Sequence, residues 1–172
     1  NYRYRILLVM SKKCDVLVIG AGVVGLSTGI ALLQSRPNLK VIVADKEKDI
    51  GLHASGRNSG VIHAGFYYSP DSLKAKFCRD GNFELRKLAK KYGIPVKDVG
   101  KVVVARNEDE DSRLDTLFER GVANGVELEI HPEEKLKDYE PLAITHNRFM
   151  WSPNTGISDS IAIVKAMRDE FL

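Results

Sequence analysis

Three glycines, Gly20, Gly22 and Gly25, form a pattern that suits the binding of two bridged phosphates. They directly follow the apolar run 15–19 and precede a segment rich in alanine and leucine. The first glycine allows a tight turn, the second lets the backbone approach a pyrophosphate, and the third lets a helix pack closely on a strand. Backbone amides at the start of such a helix attract an anion. The pattern therefore predicts a diphosphate cradle.

An acidic residue follows at the distance expected for a contact with ribose. Asp45 ends a second apolar run, 41–44, and lies twenty positions after Gly25. Its carboxylate would accept hydrogen bonds from a ribose diol and repel a 2′-phosphate, which disfavours NADP and leaves FAD or NAD. Glycines recur in turns and an aspartate can simply end a strand, so each feature alone is weak. Together they predict a dinucleotide site.

The patterns around these residues predict the elements that hold them. A strand over 15–19, a helix beginning after Gly25 and a strand over 41–44 make a βαβ unit of about 30 residues. The segment 51–65 fits neither helix nor strand, and its four glycines would let a ligand approach the backbone. Later elements are predicted from periodicity and stop signals: helices over 72–92, 108–124, 132–139 and from the N-cap Asp159 onward, and strands over 100–105 and 127–131.

Apolar side chains at helical spacing in these segments are predicted to pack in the core. They include Leu73, Phe77, Leu114, Val122 and Ile161. Because a doubly wound sheet needs more strands than the two that precede Asp45, we also expect the chain to be truncated.

Composition limits the class of protein. A hydrophobic content of 44%, a charged content of 28% and a net charge of +3 with interspersed signs predict a globular protein without a nucleic-acid partner. Cys14 and Cys78 lack metal-ligand spacing, so no metal site is expected. No segment approaches the roughly 18 apolar residues of a transmembrane helix. With no presequence visible, we expect a cytoplasmic location, and a mitochondrial or membrane-peripheral one is the alternative.

Residues 15–172 resemble the FAD-dependent oxidoreductases of the D-amino-acid-oxidase superfamily, and most closely the L-2-hydroxyglutarate dehydrogenase/oxidase group. The resemblance is carried by GAGVVGLS at 20–27, by the pair Asp45-Lys46 and above all by GLHASGRNSGVIHAGFYYSPDSLKAKFC at 51–78. The segments GKVVVA at 100–105 and NTGISD at 154–159 are similar too.

The resemblance implies an α/β fold. It would combine an FAD-binding Rossmann-like βαβ unit with an inserted α+β segment of a substrate domain, in an apparently truncated chain. On this interpretation residues 1–12 are an extension, 13–70 form the N-terminal part of the FAD-binding domain, and 71–172 form a helical segment and a partial substrate domain.

The resemblance also implies FAD as the cofactor and oxidation of a small 2-hydroxy acid, by hydride transfer to the flavin, with an unspecified electron acceptor. The implied cofactor-binding residues are Gly20, Gly22, Val23, Val24, Gly25, Asp45, Lys46, Ser55, Asn58, Ser59 and Gly60. His63 is the candidate catalytic base, because an imidazole titrates near neutrality and its loop should lie near the flavin. The alternative is that His63 only forms hydrogen bonds with the backbone or the cofactor.

Three rival functions stay open at the level of sequence. The first is another FAD-dependent enzyme that oxidises an amino acid, an amine or glycerol phosphate. The second is an NAD-dependent dehydrogenase, since the glycine pattern is shared by both cofactor classes. The third is a non-catalytic nucleotide-binding fragment.

Overall fold

The computed structural model describes residues 13–172, and the predicted extension over 1–12 lies outside the described residues. The chain forms two compact units. The first contains the residues up to Arg57 together with Val164–Leu172, and the second contains Asn58–Ile163.

The first unit contains the predicted βαβ arrangement. Strands β1 (Val16–Ile19) and β2 (Val41–Ala44) pair in parallel, with Val16 opposite Val41, and helix α1 (Val23–Ser35) connects them. The helix packs on one face of the strands through its glycines: a Cβ built on Gly29 would lie 3.2 Å from Val43. The prediction of a strand, helix and parallel strand is confirmed.

The other face of these two strands is open. Leu17 and Ile19 point away from the helix side because side chains alternate along a strand, and they are 53% and 84% exposed. Within the part of the chain that the structure describes, no element covers this apolar face.

The second unit is built on two antiparallel sheets of three strands each. In one, β8 (Gly156–Ser158) lies between β3 (Val61–Ile62) and β4 (Val96–Asp98). In the other, β7 (Arg148–Ser152) lies between β5 (Lys101–Val104) and β6 (Glu129–Pro132). The helical elements are α2 (Leu73–Lys91), α3 (Glu108–Ala123), a 3-10 turn (Glu133–Lys135), α4 (Leu136–Tyr139) and α5 (Ser160–Phe171), whose last residues belong to the first unit.

The prediction from sequence omitted four strands of the second unit: β3, β4, β7 and β8. The segment 51–65 contains β3, which is only two residues long and is stabilised by the backbone bond from the Ser158 amide to the Gly60 carbonyl (2.9 Å). Strand β7 is central in its sheet, and Phe149 and Met150, which point to opposite faces, are both fully buried. Burial on both faces removes the alternation by which a strand is recognised in sequence.

The predicted apolar stripes pack only in part. Leu114 is buried against Phe66 and Met150 in the main core cluster of the second unit. The expectation of burial was wrong for four positions, which are more than half exposed: Leu73, Phe77, Val122 and Ile161. Helical spacing identifies a common face, but it does not show whether another element covers that face.

An ion-pair cluster joins helix α3 to strand β7. The Arg148 guanidinium donates from Nε to Asp111 Oδ2 (3.0 Å), and from its two terminal nitrogens to the Asp115 carboxylate (2.8 Å each). Asp111 is only 7% exposed, so its carboxylate depends on this partner. Arg148 also lowers the pKa of the Asp115 carboxyl, chiefly through these hydrogen bonds.

We expect Arg148→Met to lower the free energy of unfolding of the second unit by about 2 kcal/mol, because it leaves the buried Asp111 carboxylate without its partner. Urea unfolding followed by the fluorescence of Trp151, the single tryptophan of the chain, measures this on the same strand. Arg106→Met is the matched control, since the Arg106 side chain is 81% exposed in its ion pair with Glu110 and ion pairs at the surface contribute little. Equal effects of the two substitutions would contradict the expectation.

Candidate functional site

The turn after β1 is shaped by two of the predicted glycines. Gly20 has a φ of +112°, and its amide donates to the Ala44 carbonyl of β2 (2.6 Å). Helix α1 then begins, and a Cβ on Gly25 would lie 1.8 Å from the Gly20 carbonyl oxygen. A side chain at either position is therefore excluded by the backbone itself, and the helix starts in close contact with the end of the strand.

Asp45 lies against this turn. Its Oδ2 accepts a hydrogen bond from the Ala21 amide (2.6 Å), and its Oδ1 accepts one from the Glu47 amide (2.9 Å). These backbone bonds, with that from Ala21 as the largest cause, lower the pKa of the carboxyl below its ordinary value. The carboxylate is therefore ionised at neutral pH and fixed in orientation. It retains acceptor capacity, because a carboxylate offers about four lone-pair positions.

Ser55 approaches the same turn from a distant part of the chain. Helix α1 has Gly22 as its N-cap, which has no side chain to satisfy the first amides. Ser55 Oγ supplies the missing acceptor and lies 3.1 Å from the Val23 amide. A Cβ on Gly22 would lie 2.7 Å from the same oxygen. The structure thus brings the glycine turn, Asp45 and Ser55 together in the first unit, with Val24 and Lys46 exposed beside them.

The other predicted cofactor residues, 58–60, belong to the second unit. Asn58 Oδ1 accepts from the Gly60 amide (2.8 Å), and Ser59 is exposed. Gly60 has a φ of +68°, and a Cβ there would lie 2.3 Å from the Ser158 carbonyl oxygen. Within this unit Gly60 is therefore required by the pairing of β3 with β8, whatever else it does.

His63 follows β3 with an exposed side chain on an anchored backbone. Its carbonyl accepts a hydrogen bond from the Asn82 side-chain amide of α2 (2.9 Å). Protein atoms on one side of the ring remove part of its hydration, and this desolvation, with a smaller effect from the positive charge of Lys101, lowers the pKa of the imidazole below 6.5. The ring is therefore neutral at physiological pH and able to accept a proton.

Reasoning from the sequence missed three residues around His63. Asn82 holds its backbone, and Lys101 affects its charge. Asn124, which was predicted only as the stop of α3, is 4% exposed and donates through its side-chain amide to the carbonyls of Gly65 (3.2 Å) and Tyr68 (2.9 Å). Its position at the end of a helix was the one local signal, and it does not reveal contacts 59 and 56 residues away.

Neither a metal centre nor a membrane span is found in the described part of the chain. No cluster of three or more histidine, cysteine, aspartate or glutamate residues is suited to a metal ion among residues 13–172. None of the described helices has the length and apolar character needed to cross a membrane.

These elements define a dinucleotide-binding βαβ unit. It consists of a strand, a glycine turn, a helix and a second strand that ends in a fixed carboxylate. The family model of FAD-dependent oxidoreductases, DAO, matches residues 15–172, and the chain belongs to this family. The α/β fold and the dependence on FAD that the sequence predicted are confirmed, and the NAD alternative is left without support.

Several relatives of this chain are named L-2-hydroxyglutarate dehydrogenase. The chain is 42% identical over 160 residues to the mitochondrial L-2-hydroxyglutarate dehydrogenase of Caenorhabditis briggsae. The alignment covers 92% of this chain and 37% of that protein. The chain is 39% identical over 163 residues to the human mitochondrial L-2-hydroxyglutarate dehydrogenase, and the alignment covers 91% of this chain and 34% of that protein. The chain is 40% identical over 162 residues to the L-2-hydroxyglutarate dehydrogenase of Indibacter alkaliphilus, and the alignment covers 91% of this chain and 39% of that protein. The chain thus spans a little over a third of the length of these relatives.

Solved structures agree on the fold. L-alpha-glycerophosphate oxidase from Mycoplasma pneumoniae, with FAD bound, superposes with a TM-score of 0.76 at 28% identity, over 91% of this chain and 42% of that one. L-proline dehydrogenase from P. horikoshii superposes with a TM-score of 0.79 at 22% identity, over 94% of this chain and 42% of that one. At this identity the likeness supports the fold alone.

We expect Gly22→Ala to weaken FAD binding at least tenfold without unfolding the chain. The added methyl group meets the movable Ser55 side chain, but it keeps a diphosphate from approaching the backbone. Quenching of FAD fluorescence on titration measures the affinity, and circular dichroism checks the fold.

Gly81→Ala is the matched control, since Gly81 lies inside helix α2 and a Cβ there meets nothing within 4 Å. It should leave FAD affinity unchanged and raise helix stability slightly. Full FAD affinity in the Gly22→Ala variant would contradict a diphosphate site at this turn.

Proposed function

We propose that this chain provides the cofactor-binding part and a portion of the substrate part of an FAD-dependent dehydrogenase, which oxidises L-2-hydroxyglutarate to the 2-oxo acid. The observation that carries the proposal is the ionised Asp45 carboxylate held at 2.6 Å from an amide of the glycine turn. The choice of substrate is supported by the names of relatives at 39–42% identity.

The residues of the first unit fit the adenosine diphosphate half of FAD. The first amides of α1 lack carbonyl partners within the helix, and the helix dipole favours an anion at this end. Gly22 leaves the approach to these amides free of a Cβ, and Ser55 occupies the Val23 amide with an oxygen that a phosphate oxygen can replace. Asp45 has lone pairs left to accept from the ribose hydroxyls.

The remaining cofactor assignments are proposed from the residue types. They are Val23, Val24, Lys46, Asn58, Ser59 and Gly60. When bound, FAD supplies the flavin that accepts a hydride.

His63 is proposed as the base. Oxidation of a secondary alcohol removes a hydride from carbon and a proton from oxygen, and the proton needs an acceptor. A neutral imidazole can take it, and the lowered pKa of His63 keeps the ring neutral at pH 7. The Asn82 bond to the carbonyl of His63 restricts where the ring can lie.

The location of the protein is proposed from names alone. The Caenorhabditis briggsae and human relatives are called mitochondrial, and the name of the Indibacter protein gives no compartment. A mitochondrial location is therefore proposed if the source is a eukaryote, and the cytoplasmic location remains a prediction.

A second candidate function has one observation in its favour. The FAD-bound structural neighbour is an L-alpha-glycerophosphate oxidase, which also acts on an alcohol. Substrates of the two kinds differ in the anionic group near the reacting carbon: a carboxylate is bonded directly to that carbon in one, and a phosphate ester is attached through a CH2 group in the other. A comparison of the two substrates therefore separates the candidates.

We expect a chimaera to reduce its flavin with L-2-hydroxyglutarate when residues 15–172 of this chain replace the matching part of the human relative. The assay is anaerobic bleaching of flavin absorbance, with L-alpha-glycerophosphate and D-2-hydroxyglutarate in parallel. Flavin absorbance of the purified protein first establishes that it is folded and loaded. A loaded chimaera that L-alpha-glycerophosphate reduces, and L-2-hydroxyglutarate does not, would overturn the proposed substrate.

In the same chimaera we expect His63→Gln to slow flavin reduction by about 100-fold or more, with FAD affinity unchanged, because the base is lost. At substrate concentrations far below saturation the rate should rise with pH through the lowered pKa of His63 and then level off, since only the neutral imidazole accepts the proton. His53→Gln is the matched control, as His53 is exposed and paired with Glu47. An unchanged rate in the His63 variant would leave that residue with a structural role only.

A further inference from the structure

The positively charged ammonium group of Lys101 lies at the edge of the core in the second unit. Lys101 is the first residue of β5 and shares a face with Val103, because side chains alternate along a strand. Its ammonium nitrogen lies 5.8 Å from the ring centroid of the buried Phe66 and 4.6 Å from that of the exposed Tyr67. The aliphatic stem of the lysine therefore passes the core, and its charge emerges beside Tyr67.

This cation differs from other lysines of the unit in its surroundings. Lys76 and Lys87 each pair with an acid on their own helix, Asp80 and Glu84. Among the described residues, no carboxylate is paired with Lys101. Its ammonium group lies beside the two aromatic rings, and its positive charge acts on His63. Aromatic faces attract a cation only weakly compared with an anion at hydrogen-bond distance.

The backbone that carries Lys101 is fixed. The preceding residue, Gly100, has a φ of +68°, and its amide donates to the Thr155 carbonyl (2.9 Å). A Cβ on Gly100 would lie 1.7 Å from the Trp151 ring. Only glycine fits at this point, so the start of β5 cannot shift without displacing the indole.

The backbones that carry the neighbouring groups are fixed by buried or half-buried side-chain amides. Asn124 bonds to the carbonyls of Gly65 and Tyr68, which flank Tyr67. Asn82 bonds to the carbonyl of His63. An ammonium group, a phenol and an imidazole therefore stand on anchored segments of one unit, as expected of groups that act on a ligand.

From this arrangement we infer that Lys101 binds a carboxylate of the substrate, with Tyr67 beside it, while His63 faces the hydroxyl group. The inference rests on the proposed function and names a residue that determines specificity for an acid substrate. The ammonium group donates up to three hydrogen bonds to the carboxylate, and the Tyr67 hydroxyl can donate another. Lys101 is charged and has no lone pair to offer, and a phenol is a weak base, so the neutral His63 ring is the group that accepts the hydroxyl proton.

The arrangement links carboxylate binding to the charge of His63. The positive charge of Lys101 disfavours protonation of the ring, so a bound carboxylate that offsets this charge should raise the pKa of His63. By reciprocity, protonation of His63 should favour the anion. A lysine that only covers Phe66 would show no such link.

Glutarate, a dicarboxylate without a hydroxyl group, is the probe. The pKa of His63 is measured by NMR of histidine-labelled protein, using the whole 172-residue chain at constant ionic strength. We expect glutarate to raise this pKa in a saturable way. Lys101→Met should raise the pKa without ligand and abolish the glutarate response, and Lys101→Arg should retain the response.

Lys97→Met is the matched control, because Lys97 is an exposed lysine on the preceding strand β4, which belongs to the other sheet, and it should behave like the parent chain. The inference is overturned if glutarate leaves the His63 pKa unchanged in the parent chain, or raises it equally in the Lys101→Met variant. Dispersed NMR spectra verify the fold of each variant, and the arginine variant provides a second test of the charge.

This result is independent of the redox reaction. If glutarate acts through Lys101 but the loaded chimaera is not reduced by L-2-hydroxyglutarate, the anion site stands and the proposed reaction falls. If the chimaera is reduced and glutarate has no effect, the reaction stands and the role of Lys101 falls.

Discussion

The contact between Gly25 and the Gly20 carbonyl is the constraint on which the first unit depends. It lets helix α1 begin directly against the end of β1, with no room for even a methyl group between them. Because the helix starts there, its first amides point to the same place as the end of β2, where Asp45 is held by the Ala21 amide. A dinucleotide needs an anion site and a ribose acceptor at a fixed separation, and this packing sets that separation.

The second unit uses a different device for the same purpose. The groups that we propose to act on the substrate lie on loops and strand ends, where the backbone has few partners of its own. Asn82 and Asn124 supply these partners by donating their side-chain amides to carbonyls of the loop that contains His63 and Tyr67. Exposed groups thus gain fixed positions from helices that carry no chemistry themselves.

The sequence predicted what depends on neighbours along the chain. Three local features that the sequence predicted are present in the structure: the glycine spacing, the N-cap Asp159 and the end of α3 at Asn124. Asp159 accepts hydrogen bonds from the Ile161 and Ala162 amides. Contacts between distant segments left no local pattern, so Ser55 on the Val23 amide, 32 residues away, was not foreseen. Strand β7 escaped prediction for a related reason, because its burial depends on the two strands that flank it.

The glycine turn and the exposed apolar surface of the first unit lie at different places on the same two strands: the turn is at the strand ends beside α1, and the apolar surface is on the opposite face. The turn is stabilised by α1 on one face, by Asp45 at the strand end and by Ser55, all within the described residues. Leu17 and Ile19 lie on the opposite face and contribute to none of these contacts. Whatever covers that face therefore affects the solubility and stability of the unit first, because exposed apolar area is what it would bury. The amides that would meet the diphosphate take their geometry from α1, Asp45 and Ser55, so cofactor affinity and surface coverage are separable properties of this chain.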